Sequence, residues 1–288
     1  MSHPVVPDVR RRLRSLADPA KAGPMQRYMK SSMPFLGVPA PAQRVACRQA
    51  IAAHPLTTFE EWTGAVLTLW REATYREERH AAITIADHRQ YAGYRTAQAI
   101  PMLEEMIVTG AWWDYVDALA THHLGDVLAS EVRAGRGASV RRLLLRWARC
   151  DDLWKRRAAM LCQIGFKRNT DAEFLYACLE PSLLDRSQAT RPGRSTPAQL
   201  PGLKPRPLSA SGIRSDRVRH DFFIRKAIGW ALRQYAWVQP DEVRRYVEAN
   251  RGRLSPLSVR EALKNIDKGA MAETGQARPR RSRRAGNE

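Results

Sequence analysis

The sequence predicts an all-α protein, and three observations support this fold class. Apolar residues recur at three- and four-residue spacing along most of the chain, as on one face of a helix. Strand signals are nearly absent, with no long alternating β-branched stretch and no Asn-Gly hairpin turn. The predicted helices are similar in length and closely spaced, which favours an α-solenoid of HEAT-like or armadillo-like helical hairpins. A compact all-α bundle is the alternative, because no sequence repeat is visible.

The helical spacing occurs in a series of segments separated by short polar or Gly/Pro breaks. In the first part of the chain these segments are 41–54, 58–73, 76–91, 96–110 and 111–125. The later ones are 139–152, 153–166, 171–180, 220–236, 240–250 and 255–266. Gly110 and Gly125 each end a segment and are predicted helix C-caps.

Two segments differ in composition from the helical ones. Residues 185–218 are rich in Pro, Ser and Arg and are predicted to form a long flexible insertion. Residues 268–288 end in "RPRRSRRAGNE", which predicts a disordered basic tail with a non-specific attraction for phosphate. Solvated spacer with no role is the alternative for both. The remaining chain, 1–267, is predicted to be one repeat domain.

The charge of the chain indicates its class of partner. With 48 Lys and Arg against 29 Asp and Glu, the formal net charge is +19. Such an excess favours a polyanion, and above all nucleic acid. A solenoid would offer a concave surface, and a basic one would suit a duplex. We expect double-stranded DNA to be the partner and the protein to be a monomer.

The same sequence argues against several other classes. No apolar run approaches the roughly 20 residues that span a bilayer, and the N-terminus lacks the order of a signal peptide. The four cysteines are scattered, with no CxxC pair and no nearby histidine pattern. This argues against a zinc site and a disulfide framework. We expect a cytoplasmic, nucleoid-associated protein without metal or cofactor.

The stretch "WWDYVD" at 112–117 is the first candidate for chemistry. On a helix, Trp113 and Asp117 are four residues apart and lie on one face. The simpler interpretation is a core tryptophan with a solvent-facing aspartate that caps a helix or pairs with a basic neighbour, since many paired carboxylates are only structural.

Aromatic and cationic residues are also paired on two later segments. Trp154 precedes Arg157 by three residues, and Trp230 stands in the same relation to Arg233. A planar ring can contact a sugar or base while a guanidinium binds a phosphate. For each pair alone, a tryptophan between helices with an arginine stem lying over it is the simpler explanation.

Taken together, these segments resemble those of the AlkD-type DNA alkylation-repair glycosylases, which are built of HEAT-like repeats. The matching stretches occur in family order and span about residues 10–267; they are "KAGPMQRYMKSSMPFLGVPAPAQR", "IVTGAWWDYVDALATHHLG", "LWKRRAAMLCQIGFK", "FFIRKAIGWALRQYA" and "LSVREALKNI". The insertion and the basic tail depart from the family pattern, which leaves the DNA footprint and choice of partner open.

The resemblance implies roles for six residues of this sequence. The second acidic position of the WWDxVD motif, Asp117, is the implied catalytic carboxylate. Contacts to the lesion or its sugar are implied for Trp113, Trp230 and Tyr28. Contacts to the DNA backbone are implied for Arg157 and Arg233.

The implied activity is that of a monofunctional DNA glycosylase. Such an enzyme hydrolyses the N-glycosidic bond of cationic N3- or N7-alkylated purines in duplex DNA. Asp117 would stabilise the positively charged sugar and position water. One alternative is a non-catalytic HEAT-like scaffold that binds damaged or branched DNA. A HEAT-like protein–protein adaptor is a second, although it would favour an apolar or acidic groove.

Overall fold

Helices make up nearly all of the regular structure in the computed structural model, which describes residues 2–183 and 210–266. Within these ranges there is no β-strand, so the all-α prediction is confirmed. The α-helices, numbered in chain order, are α1 Val5–Ser15, α2 Pro19–Met29, α3 Ala40–Ala53, α4 Phe59–Arg71, α5 Arg76–Ala86, α6 Ile100–Gly110, α7 Trp113–Ala118, α8 Gly125–Arg133, α9 Gly137–Arg149, α10 Leu153–Leu161, α11 Ala172–Leu179, α12 Ala210–Tyr235, α13 Pro240–Ala249 and α14 Pro256–Leu263.

Helices that are neighbours in sequence pack on each other as hairpins. In this way α4 packs on α5, α8 on α9, and α9 on α10. This is the stacked-hairpin, HEAT-like arrangement that the sequence predicts. The described residues form two compact units. The first contains α1–α11 and the second contains α12–α14. The single repeat domain over 1–267 and its concave basic surface stay predictions.

The core of the first unit is built from apolar stripes on its helices. In α1 the stripe is Val5, Val9 and Leu13, none of which has exposed surface. The spacing of four residues places these side chains on one face, which packs against α3. Burying one such side chain stabilises the fold by about 1.5–3 kcal/mol.

Side-chain caps define where several helices begin. Asp18 accepts a hydrogen bond from the Ala20 amide at the start of α2 (3.1 Å). Asp152 accepts from the amides of Trp154 and Lys155 at the start of α10 (2.9 and 2.8 Å). Each cap satisfies amides that have no partner within their helix and stabilises the helix by about 1 kcal/mol.

Both predicted glycine C-caps need correction. Gly125 lies inside helical structure and begins α8. A Cβ at this position would stand 2.7 Å from the Cys162 carbonyl oxygen. The glycine is therefore required for close packing and does not end a helix. Gly110 is the last residue of α6, and Ala111 after it takes the left-handed conformation (φ 44°).

The other boundaries differ from the predictions in particular places. The segment 76–91 is broken, since α5 ends at Ala86 and a 3₁₀ helix covers Arg89–Tyr94. Helix α12 begins at Ala210, within the predicted insertion 185–218. No proline follows Pro207 until Pro240, so nothing in that stretch blocks a helix. The rest of the insertion, apart from residues 210–218, and the tail 268–288 lie outside the described residues.

None of the helices in the described ranges is long and apolar enough to cross a membrane.

Candidate active site

Most of the WWDYVD stretch forms a short helix in the first unit. Helix α7, Trp113–Ala118, follows the extended residue Trp112 and continues into a π-helical turn over Leu119–Leu124. Trp113 and Asp117 both lie on this helix four residues apart, as predicted. π-Helical turns within helices are rare and are found mostly at functional sites.

The first aspartate of the motif anchors α7 to α5. The Asp114 carboxylate accepts a hydrogen bond from Nη2 of Arg76 (2.5 Å), and its other oxygen lies 3.0 Å from Nε2 of His80. Arg76 is buried, with 7% of its side chain exposed. A charge-assisted bond in such a site is stronger than the same bond in water, so Asp114 holds the start of α7 in place.

Aromatic packing completes this anchor. The Tyr115 ring is fully buried and meets Trp70 edge to face, with ring centroids 5.2 Å apart. The Arg76 guanidinium lies over the same Tyr115 ring, 4.2 Å from its centroid. Tyr115 thus faces the core while its neighbours in the motif carry the polar groups.

The second aspartate of the motif is held by an arginine from α10. The Arg157 guanidinium donates from Nε to Oδ1 of Asp117 (2.6 Å) and from Nη2 to Oδ2 (2.8 Å). This two-point contact fixes the plane of the carboxylate. Asp117 keeps 17% of its side chain exposed, and Arg157 keeps 4%. The carboxylate is therefore the more accessible partner.

The surroundings of Asp117 change its ionisation in opposing ways. Burial raises the pKa of the Asp117 carboxyl, the Arg157 hydrogen bond and charge lower it, and the nearby Asp114 charge raises it again. The net result is a pKa above the ordinary aspartate value of 3.8. A perturbed carboxyl in a partly open position is a feature of functional sites.

Two other tryptophans, one preceding α7 and one on α10, contact each other. Trp112 and Trp154 have their ring centroids 6.4 Å apart, and Trp154 is buried with 8% exposure. Trp154 is therefore a core residue, as its simpler interpretation proposed. Trp113, in contrast, is half-buried.

Tyr28 is the most exposed of the candidate site residues in the first unit. Its side chain is 77% exposed, and it lines a pocket of about 210 Å³ together with Phe35, His80 and Asp114. The pocket lining also includes Glu77, whose carboxylate accepts hydrogen bonds from the backbone amides of residues 36–38 at 2.8–3.1 Å. Tyr28 and the start of α7 thus share one pocket.

The candidates near the C-terminus lie in the second unit. Trp230 is half-buried on α12. Arg233 on the same helix donates to Glu261 of α14 (2.6 Å), which also accepts from Lys226 (3.1 Å). Arg233 therefore has a structural partner in addition to its predicted role.

Sequence reasoning missed several residues that build the site. Arg76 and His80 position Asp114, and Asp117 has a partner in Arg157 that was predicted to contact phosphate. The segment "REERH" at 76–80 carried a signal, because a dense group of charges on a helix that must pack inside requires internal partners. No group of three or more potential metal ligands occurs in the part of the chain that the structure describes.

Comparison with known proteins gives this geometry its context. The family model for "DNA alkylation repair enzyme" matches residues 9–193 and 212–266, a span that includes both the Asp117 site and the α12 candidates. The chain belongs to this family of DNA alkylation repair enzymes. The resemblance found in the sequence is thereby confirmed.

A solved structure shares the fold. It is a predicted DNA alkylation repair enzyme from Enterococcus faecalis, 24% identical, with a TM-score of 0.64. The match covers 88% of this chain and 97% of the other. No curated protein matches this chain.

Proposed function

We propose that this family member is a DNA glycosylase that hydrolyses the N-glycosidic bond of cationic N3- or N7-alkylated purines in duplex DNA. The family supports a role in DNA alkylation repair. The observation that carries the reaction type is a single carboxylate, Asp117, that is fixed in direction and partly exposed.

The chemistry needs only a few groups from the protein. An alkylated purine with a formal positive charge is already a good leaving group, so no strong acid is needed. As its bond to C1′ breaks, positive charge develops on the sugar, which a fixed carboxylate stabilises. The same carboxylate can orient or deprotonate the attacking water.

The position of Asp117 makes this stabilisation effective. Two unit charges 4 Å apart interact by about 1 kcal/mol in water and by about 4 kcal/mol at an effective dielectric of 20. Most of the Asp117 side chain is shielded from water. Arg157 opposes a cation, but it is more deeply buried than Asp117, so an approaching sugar meets the carboxylate first.

Other candidates complete the proposal. Trp113 and Trp230 are proposed to contact the lesion or its sugar, and so is Tyr28 at its pocket. For Arg157 the structure supports a positioning role on Asp117. Its predicted contact with the DNA backbone, and that of Arg233, stay predictions.

Base release is the direct test. Duplex DNA with 7-methylguanine or 3-methyladenine is incubated with the wild type and with Asp117→Asn, in single-turnover conditions with the protein-free rate subtracted. We expect the variant to be roughly 100- to 1000-fold slower, as for loss of one transition-state charge contact. Uracil, a neutral base that leaves less readily, should be released poorly.

Asp8→Asn is the matched control for this substitution. Asp8 is also a buried aspartate paired with arginine, accepting from Nε of Arg12 at 2.9 Å in α1. It should leave base release within a few-fold of wild type. Equal rates for Asp117→Asn and wild type would remove Asp117 from the mechanism.

A non-catalytic scaffold for damaged DNA is the second candidate. The observation that favours it is the two-point Asp117–Arg157 pair, which would also serve a purely structural purpose. If the wild type binds alkylated duplex but releases no base, the scaffold is the correct function.

A further inference from the structure

A second pocket in the first unit has the character of an anion site. It has a volume of about 340 Å³, and its lining includes Lys30, Arg76, Arg79, Thr109 and Trp112. No carboxylate is among the residues that line it. Cationic side chains that share a pocket and lack an acidic partner repel each other, and a bound anion relieves that repulsion.

Two of these cations have no acidic partner among the described residues. Arg76 binds Asp114, whereas neither Lys30 nor Arg79 forms an ion pair in the described structure. Arg79 lies 4.8 Å over the Trp70 ring, and its Nη1 makes one long bond to the Thr109 carbonyl (3.4 Å). The Arg79 Nε is buried without a hydrogen-bond partner. Burial lowers the pKa of Arg79, and nearby Arg76 acts in the same direction.

The backbone around the pocket presents these groups. Lys30 follows the last residue of α2 in a left-handed conformation (φ 50°), and Ala111 does the same after α6 (φ 44°). Residues other than glycine are uncommon there, and such strained positions concentrate at ligand sites. The turn after Lys30 is held by the Gln26 side chain, which donates to the Ser31 carbonyl (3.2 Å).

The pocket adjoins the proposed reaction site. Trp112, on its wall, immediately precedes α7, and Arg76 connects the pocket to Asp114. From the start of α7 to Asp117 the helix rises by roughly 6 Å, at about 1.5 Å per residue. This rise is comparable with two base steps of DNA, each of which advances by roughly 3.4 Å along the axis of the duplex.

We infer that this pocket, through Lys30 and Arg79, binds a phosphodiester of the DNA backbone within two nucleotides of the lesion. The inference rests on the proposed function for the position of the lesion. A guanidinium and an ammonium are the side chains that bind phosphate oxygens best. The contact would fix the register of the strand while Asp117 acts on the sugar.

The test is a double-mutant cycle on binding affinity, in which one charge of the protein and one charge of the DNA are removed separately and together. Duplexes carry a tetrahydrofuran abasic analogue, which cannot lose a base, and one neutral methylphosphonate at successive backbone positions. We expect one position within two nucleotides of the analogue to weaken wild-type binding roughly tenfold, as for one charge-assisted contact. Lys30→Gln should bind the unmodified duplex roughly tenfold more weakly and show a clearly smaller loss at that position, because only Arg79 still contacts that phosphate. Arg79→Gln is the second variant and should behave in the same way.

Arg133→Gln supplies the matched control. Arg133 is exposed at the end of α8, and its loss removes the same charge. This variant should keep the full methylphosphonate effect. Additive losses for Lys30→Gln and for Arg79→Gln, or no sensitive position in the wild type, would overturn the inference. So would binding of inorganic phosphate that Lys30→Gln abolishes without any change in duplex affinity.

Failure here is distinguishable from failure of the proposed function. The cycle measures binding to DNA that cannot be hydrolysed, and base release is measured separately. Base release without coupling rejects the phosphate pocket alone, and coupling without base release rejects the glycosylase alone.

Discussion

The ionisation of one residue, Asp117, should determine the pH dependence of base release. The proposed mechanism uses the ionised carboxylate, and the pKa of Asp117 is raised above 3.8 by burial. As pH falls through that raised pKa, the carboxyl becomes protonated and the rate falls. The acid limb of the single-turnover rate should therefore lie above pH 3.8, measured against the protein-free rate at each pH.

Arg157 should move that limb in a known direction. Its hydrogen bond and charge lower the pKa of Asp117, so Arg157→Gln should shift the acid limb to higher pH. Arg157→Lys keeps the charge but loses the two-point contact, and its limb should lie between the other two. Because breaking a buried pair can cost about 3–5 kcal/mol, circular dichroism must show a folded variant at each pH. An unshifted limb in Arg157→Gln would assign the titration to another group.

Single residues also show what the sequence could supply about the site. Two family motifs gave these residues their proposed roles. Trp113 and Asp117 belong to the WWDYVD stretch, and Tyr28 belongs to the stretch that contains PMQRYMK. The pairing of Asp117 with Arg157 spans 40 residues, and it depends on how α7 packs on α10. Spacing within one segment contains no information on such a contact. The alternative of a solvent-facing aspartate with a basic neighbour predicted the pairing, but the Asp117 side chain is only 17% exposed.

At the scale of helices, the apolar periodicity predicted that a helix exists more reliably than it predicted where the helix begins and ends. Segments with a clear apolar stripe, such as α3 and α4, end within two residues of the prediction. Helices α1, α2 and α8 were not predicted. Helix α8 was missed because Gly125 was predicted to end a helix. In a sequence, a glycine that caps a helix looks the same as a glycine that close packing requires. Only the approach of the Cys162 carbonyl separates the two roles.

Substitution of this glycine tests the packing role. In Gly125→Ala, the new Cβ would meet backbone at 2.7 Å, so α8 or α10 must shift. We expect a loss of about 1–3 kcal/mol in the free energy of unfolding, as for other overpacked sites, measured by urea titration.

Gly64→Ala is the control within a helix. Gly64 is exposed in α4, and a Cβ there meets nothing within 4 Å. It should stabilise the protein by about 0.5–1 kcal/mol, because alanine favours the helix. Equal effects of the two substitutions would mean that Gly125 has no packing role.

For the whole molecule, the net charge of +19 should govern duplex binding. Each phosphate neutralised by Lys or Arg releases counterions, so the logarithm of the affinity falls with the logarithm of salt by about 0.9 per contact. A protein with six or more such contacts loses roughly a thousandfold or more between 50 and 200 mM salt. We expect a loss of this size for undamaged duplex, measured by fluorescence anisotropy. Asp117→Asn should show the same slope, because in the proposed mechanism the carboxylate faces a sugar and not a phosphate. Lys30→Gln should lower the slope by about one. A wild-type affinity that does not change with salt would contradict a phosphate-binding surface altogether.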